Sequence, residues 1–174
     1  MSLPPLAALP TTLLPLAERA AALLPSDWSG ERAEALRRVC GLRDFVHEQA
    51  VRAPELLAEL GASGELERRV QSGELRAQLQ AALADCGDED ELGRRLRRFR
   101  NRQQVRIIWR DLTRQADLAE TCRDLSDLAD ASIDGAYQWL FPRHCEQFGT
   151  PIGRRSGQVQ HMVILGMGKL GAHE

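Results

Sequence analysis

The sequence has few aromatic residues and no closely spaced cysteines. Phenylalanine, tryptophan and tyrosine make up 5% of its 174 residues, while alanine, leucine, arginine and glutamate dominate, a composition that favours helix throughout. Its four cysteines lie far apart, and the neighbours His144 and Cys145 would point about 100° apart on a helix, a poor pair for one metal ion. We therefore reject a zinc site and expect reduced thiols.

The chain also lacks a strong net charge and an unbroken hydrophobic run. The formal net charge of −2 gives no electrostatic argument for binding nucleic acid or a membrane surface. The apolar N-terminus, residues 3–24, is interrupted by four prolines, and its first basic residue, Arg19, follows the apolar part. These features argue against a signal peptide and a membrane helix. We expect a cytoplasmic protein without nucleic-acid or membrane partners.

Helical patterns fill most of the sequence. We expect an N-terminal arm and short helix over residues 1–28 and an all-helical body over 29–157. Within that body, Pro54 favours a helix start and Gly61 a helix end. The pattern D-x-x-E at Asp88 and again at Asp117 predicts two N-terminal caps. The first cap should open a long helix that begins on the surface and ends buried.

This long helix carries eight arginines and no acidic residue between Arg94 and Arg110. One interpretation is a solvated face, in which arginine stems cover apolar surface and the guanidinium groups pair with neighbouring acids. The other is a binding surface for an acidic partner. We favour the solvated face because such charge runs usually are solvated.

The last segment, residues 158–174, differs from the helical body. The apolar run 162–165 predicts a buried β-strand that leads into a glycine-rich turn. Such a turn before a helix presents backbone N–H groups to an anion such as phosphate. We predict no catalytic residue and no metal ligand here, but four nucleotide- or phosphate-binding residues: Gly166, Gly168, Lys169 and Gly171.

The glycine spacing alone leaves several interpretations open. It matches the dinucleotide-binding fingerprint, but that fold needs an acidic residue about 20 positions further on. It is no Walker A loop, because Lys169 lacks the required glycine spacing and a following Ser or Thr. A plain tight turn, in which the glycines adopt unusual φ angles, fits as well. Lys169 is the only lysine of the chain, which favours a functional turn.

A resemblance narrows these alternatives. Residues 165–171, followed by Glu174, resemble the signature of the glutamine synthetase adenylyltransferases, bifunctional enzymes that add AMP to, and remove it from, a tyrosine of glutamine synthetase. The resemblance extends from about residue 40 onward, in family order, through residues 44–46, 54–57, 96–100, 105–107, 109–112 and 124–131. One departure is Ala172, where some members carry another glycine.

The resemblance implies a mainly α fold, with the helical body leading into the first strand and glycine turn of a truncated polymerase β-like nucleotidyltransferase domain. It also implies the domain that removes AMP by phosphorolysis, yielding ADP, while a second domain adds AMP from ATP. The expected partners are glutamine synthetase, regulatory proteins of nitrogen signalling, ATP or ADP, and phosphate. Mg²⁺ would be held by an aspartate pair that follows the turn and is not in this chain.

Two further expectations follow. Without the aspartate pair, the isolated chain should be inactive, and residues 159–174 should pack poorly or borrow contacts from another molecule. The alternative function is a helical regulatory or docking module whose arginine-rich helix binds a partner.

Overall fold

A computed structural model describes residues 10–168, and the regular secondary structure of that range is helical. The prediction of a mainly α fold is therefore confirmed. A 3₁₀ turn, Ala20–Leu23, follows the first helix. No helix among residues 10–168 has the length and apolar character that crossing a membrane would require. The α-helices are α1 Leu14–Arg19, α2 Gly30–Leu42, α3 Asp44–Arg52, α4 Glu55–Ser63, α5 Glu74–Leu83, α6 Glu89–Leu112 and α7 Leu118–Phe148.

Both predicted aspartate caps are present. The carboxylate of Asp88 accepts the backbone N–H of Glu91 at 2.7 Å, and Asp117 accepts that of Glu120 at 2.7 Å. Each bond satisfies a backbone donor that a helix N-terminus leaves free. At Asp88 the reciprocal bond of a full capping box is replaced, because Glu91 accepts the N–H of Gly87 instead. That backbone bond, followed by one from Arg95, lowers the pKa of Glu91.

The predicted end of α4 at Gly61 is wrong. The helix continues through Gly61 to Ser63, and the chain leaves it at Gly64, whose φ of 70° is left-handed. Gly61 instead allows a close approach, because a Cβ atom there would stand 2.7 Å from two atoms of the Trp28 indole. The sequence cannot distinguish a glycine that ends a helix from one that admits a neighbouring ring.

The described residues form two compact units, each made from two stretches of the chain. The first contains residues up to 69 and residues 101–121. Its core joins α2, α3, α4 and the second half of α6, and the rings of Trp28 and Trp109 meet edge-to-face at 5.4 Å. Full burial of each aliphatic side chain contributes about 1.5–3 kcal/mol. The fully buried aliphatic residues of this core include Leu36, Val39, Val46, Leu57, Leu60 and Val105.

The second unit contains residues 70–100 and those from 122 onward. Leu75, Leu79 and Leu83 form the buried stripe of α5, as the periodicity predicts. Gly135 of α7 lets this stripe approach closely, since a Cβ there would stand 2.9 Å from a methyl of Leu79. The indole N–H of Trp139 donates to a backbone carbonyl at 3.1 Å. The domain boundaries expected near residues 28 and 157 stay predictions.

Candidate functional site

The glycine turn is only partly described. Gly168 has a φ of 65°, in the left-handed region where glycine is favoured, and a Cβ there would meet nothing within 4 Å. Gly166 precedes it in irregular, exposed backbone. The other two predicted phosphate-binding residues, Lys169 and Gly171, lie outside the described residues. The structure thus places a turn at Gly168 and leaves the ligand assignment of all four residues a prediction.

The β-strand predicted at residues 162–165 is not formed in this structure. Those residues have irregular backbone, and the β-pairing within the described range is one antiparallel bridge between Ile152 and Val159. A strand is stable when its backbone N–H and C=O groups pair with a neighbouring strand, and one hairpin in water is at best marginal. Residues 154–168 are all exposed, which agrees with the expectation of poor packing for the described part of this segment.

A cavity of about 410 Å³ lies between this segment and α7. Its wall includes Gly166 on one side, Ile133 and Tyr137 of α7 on the other, and Arg76 and Asp134. The guanidinium of Arg76 is 3.3 Å from the carboxylate of Asp134, so its charge is already compensated. The described wall of the cavity therefore supplies little net positive charge for an anion.

One tyrosine connects α7 to the segment. The hydroxyl oxygen of Tyr137 lies 3.1 Å from Nδ1 of His161 and accepts the backbone N–H of Met162 at 3.3 Å. The ring of Phe141, one turn along α7, lies 4.9 Å from the His161 ring and 5.2 Å from the Tyr137 ring. Residues four apart share a helix face, so α7 presents both rings to the chain that precedes the glycine turn.

The arginines of α6 mostly behave as the solvated-face interpretation expects, but two of them, Arg106 and Arg110, are buried. Arg102 forms ion pairs with Glu59 and Glu65, each at 3.1 Å. Arg95 forms an ion pair with Asp85, and the hydrogen bond from Arg95 lowers the pKa of Asp85. Four members of the set are exposed, namely Arg94, Arg97, Arg98 and Arg100. The docking interpretation remains a hypothesis for those four residues.

The polar cluster around Glu120 was not predicted from the sequence. Glu120 accepts hydrogen bonds from Arg110, at 2.8 and 3.0 Å, and from Arg69, at 2.8 Å. Burial acts to raise the pKa of Glu120, but the bonds from Arg110 and then Arg69 outweigh it and lower the pKa. The available signal was a charged residue, Arg110, beside Trp109 in the apolar half of α6.

A metal site is not indicated by the side chains. Within residues 10–168, no three or more histidine, cysteine, aspartate or glutamate side chains come together as metal ligands would. Asp130 and Asp134 both line the cavity beside Gly166, but Asp134 is engaged by Arg76. The described residues therefore do not fit a two-carboxylate Mg²⁺ site, which needs free oxygen ligands in octahedral arrangement.

Comparisons with known proteins cover the whole chain. The family model described as glutamate-ammonia ligase adenylyltransferase matches residues 33–174. The chain is 64% identical to the bifunctional glutamine synthetase adenylyltransferase/adenylyl-removing enzyme of Pseudomonas aeruginosa and 60% identical to that of Pseudomonas syringae, with all of this chain and 19% of each relative covered. The protein of the same name from Nitrosococcus oceani is 42% identical over 82% of this chain and 15% of its own length. The chain thus spans less than a fifth of the length of each of these relatives.

Proposed function

The chain belongs to the glutamate-ammonia ligase adenylyltransferase family, and we propose that it is the N-terminal part of an enzyme that removes AMP from a tyrosine of glutamine synthetase. A second domain, absent here, would add AMP from ATP. The observation that carries this proposal is 64% identity, along the whole chain, to a relative named for both activities. The enzyme would thereby regulate nitrogen assimilation in the cytoplasm, under the control of nitrogen-signalling proteins.

The reaction proposed for this domain is phosphorolysis. An oxygen of inorganic phosphate attacks the phosphorus of the adenylyl-tyrosine, and the bond from that phosphorus to the tyrosine oxygen breaks. The phenolate takes up a proton, and the products are ADP and glutamine synthetase with an unmodified tyrosine. Negative charge accumulates on the phosphoryl oxygens in the transition state, so preorganised donors accelerate the reaction. In the proposal, backbone N–H groups of Gly166, Gly168 and Gly171 and the ammonium of Lys169 hold the phosphate oxygens.

Residues 158–174 would then be the start of a polymerase β-like nucleotidyltransferase domain. The left-handed φ of 65° at Gly168 supports this, because successive amides around such a residue form a concave anion-binding surface. Mg²⁺ belongs to the proposal for the whole enzyme, with ligands outside this chain, since the described residues do not fit it. For the same reason we expect the 174-residue chain alone to release no ADP.

Two glycines give a matched test of the turn. Gly168 and Gly157 have φ angles of 65° and 66°, and a Cβ at either would meet nothing within 4 Å. Alanine at either site therefore carries a similar backbone strain of about 1–2 kcal/mol. The difference in activity between the two variants therefore measures the contribution of the turn at Gly168.

The assay uses an enzyme of the relatives' full length that carries this chain, with adenylylated glutamine synthetase, phosphate and Mg²⁺. We expect Gly168→Ala to lower the rate of ADP release by about tenfold, because displaced donors stabilise the transition state less. Gly157→Ala should stay within about twofold of the parent. Equal rates for both variants would refute the phosphate-binding role of the turn.

A further inference from the structure

Tyr137 is the only tyrosine of the chain and lies beside a well-anchored turn of α7. Two residues on, Trp139 is buried, and its indole N–H donates to the carbonyl of Cys86 at 3.1 Å. The guanidinium of Arg143 lies 3.6 Å from the Trp139 ring centre and donates to the Trp139 carbonyl at 3.0 Å. This turn of the helix is therefore fixed by buried contacts rather than by the exposed segment it meets.

The segment beyond His161 depends on this helix for its position. Residues 161–168 are exposed, and the structure gives them two hydrogen bonds to α7, both to the Tyr137 hydroxyl. That hydroxyl can donate to Nδ1 of His161 while it accepts the N–H of Met162, so one group satisfies two partners. Phe141 supports the imidazole from the same helix face. Gly168 follows only six residues after the tethered amide.

We propose that Tyr137 is a positioning residue: through His161 and the Met162 amide, its hydroxyl holds the chain that presents the glycine turn to phosphate. This inference rests on the proposed function of that turn, and it assigns a supporting role to Tyr137 of the helical body. The physical reason is that donors bind phosphate most tightly when they are already in place before it arrives. A turn on an untethered segment would have to be ordered by the ligand, at a cost in affinity.

The first test measures the tether itself, independently of activity. Tyr137→Phe removes the hydroxyl and retains the ring, whereas Ser132→Ala removes a hydroxyl of the same helix that bonds to the Leu128 carbonyl. Amide hydrogen exchange is followed at Met162 in the 174-residue chain. We expect about fivefold faster exchange in Tyr137→Phe, as for loss of one hydrogen bond, and no change in Ser132→Ala. Unchanged exchange in Tyr137→Phe would overturn the proposal.

The second test asks whether the tether matters for phosphate, in the full-length enzyme. Looser positioning of phosphate donors should raise the KM for phosphate about fivefold, with kcat within about twofold. A merely structural defect would instead reduce the amount of active enzyme, lowering kcat at constant KM. Ser132→Ala should change neither constant.

The Gly168→Ala variant separates the two levels of the argument. If Gly168→Ala impairs ADP release and Tyr137→Phe leaves the KM for phosphate unchanged, the positioning role is wrong while the proposed turn stands. If neither variant changes the kinetics, the phosphate-binding turn itself is wrong, and the role of Tyr137 falls with it.

Discussion

The buried ion pair between Arg110 and Glu120 predicts that Glu120→Gln will strongly destabilise the first unit. The two side chains are 5% and 4% exposed, with 2.8 Å between nitrogen and oxygen. Glutamine keeps the size of the side chain but removes its charge. The Arg110 guanidinium would then stay buried without a counter-ion, while Arg69, at 53% exposed, could turn to water.

Removing one partner of a buried pair costs about 3–5 kcal/mol, because the remaining charge loses both water and its partner. Arg110 also donates to the carbonyl oxygens of Leu66, at 3.3 Å, and Gln115, at 3.2 Å. These bonds would remain, so we expect a loss near the lower limit, about 3 kcal/mol. Native proteins have a total stability of about 5–15 kcal/mol, so the variant should still fold.

The effect should also depend on pH in a defined direction. The pKa of folded Glu120 is lowered, against an ordinary value of about 4.3 in an unfolded chain. The stabilisation by Glu120 is therefore complete above that ordinary value and is lost as the pH falls through the lowered folded pKa. The difference between the parent and Glu120→Gln should be constant near pH 7 and shrink below about pH 4.

Urea unfolding at pH 7, followed by tryptophan fluorescence and far-UV circular dichroism, measures this difference. Trp28 and Trp109 lie in the same unit as Glu120, so the fluorescence reports on it. The control is Glu48→Gln, which breaks an exposed pair with Arg52, at 3.6 Å. It should cost at most about 0.5 kcal/mol.

A loss below about 1 kcal/mol for Glu120→Gln, or one equal to that of the control, would refute the reasoning. A second variant identifies the cause of the loss. Replacing Arg110 by methionine and Glu120 by leucine together removes both charges, and should recover most of the lost stability. If the double variant is as unstable as Glu120→Gln, the buried, unpaired charge is not what destabilises the unit.

Three further predictions concern single sites. Gly61→Ala should lower the free energy of unfolding by about 1–3 kcal/mol, because the new Cβ would stand 2.7 Å from an indole ring. The control, Gly93→Ala in α6, faces a flexible arginine side chain and should be neutral or stabilising. Equal urea midpoints for the two variants would contradict this prediction. Asp117→Ala should cost about 1 kcal/mol through loss of its cap, and an unchanged thermal midpoint would show that the cap contributes nothing. Burial raises the pKa of Cys40 to about 12, so at pH 8 a thiol reagent should modify the half-buried Cys122 before it modifies Cys40. Equal labelling rates of the two thiols in the folded chain would disprove this prediction.

The helices were largely predictable because local signals and burial agree. The caps at Asp88 and Asp117 form as expected, and the α5 stripe is buried where the periodicity places it. The error at Gly61 has a different origin, because the reason for that glycine is the Trp28 ring, more than 30 residues away in the sequence. Long-range contacts of this kind leave no periodic pattern.

The candidate site was predictable only as a motif. The spacing of Gly166 and Gly168 and the family resemblance indicated a phosphate turn, and the structure adds the left-handed φ at Gly168. A strand at 162–165 was expected from its apolar run alone, but strand formation depends on a partner that the pattern does not contain. The contact of Tyr137 with His161 and Met162 likewise depends on how the chain folds back onto α7, which none of these residue types reveals.

The central claim is that this chain contributes to phosphorolytic removal of AMP, and labelled inorganic phosphate tests it most directly. Full-length enzyme carrying this chain is mixed with adenylylated glutamine synthetase, Mg²⁺ and ³²P-phosphate, and the nucleotide products are separated. We predict that the label enters ADP, in equal amount to the AMP lost from glutamine synthetase, and that Gly168→Ala slows this transfer. Formation of unlabelled AMP, or of no nucleotide at all, would contradict the account.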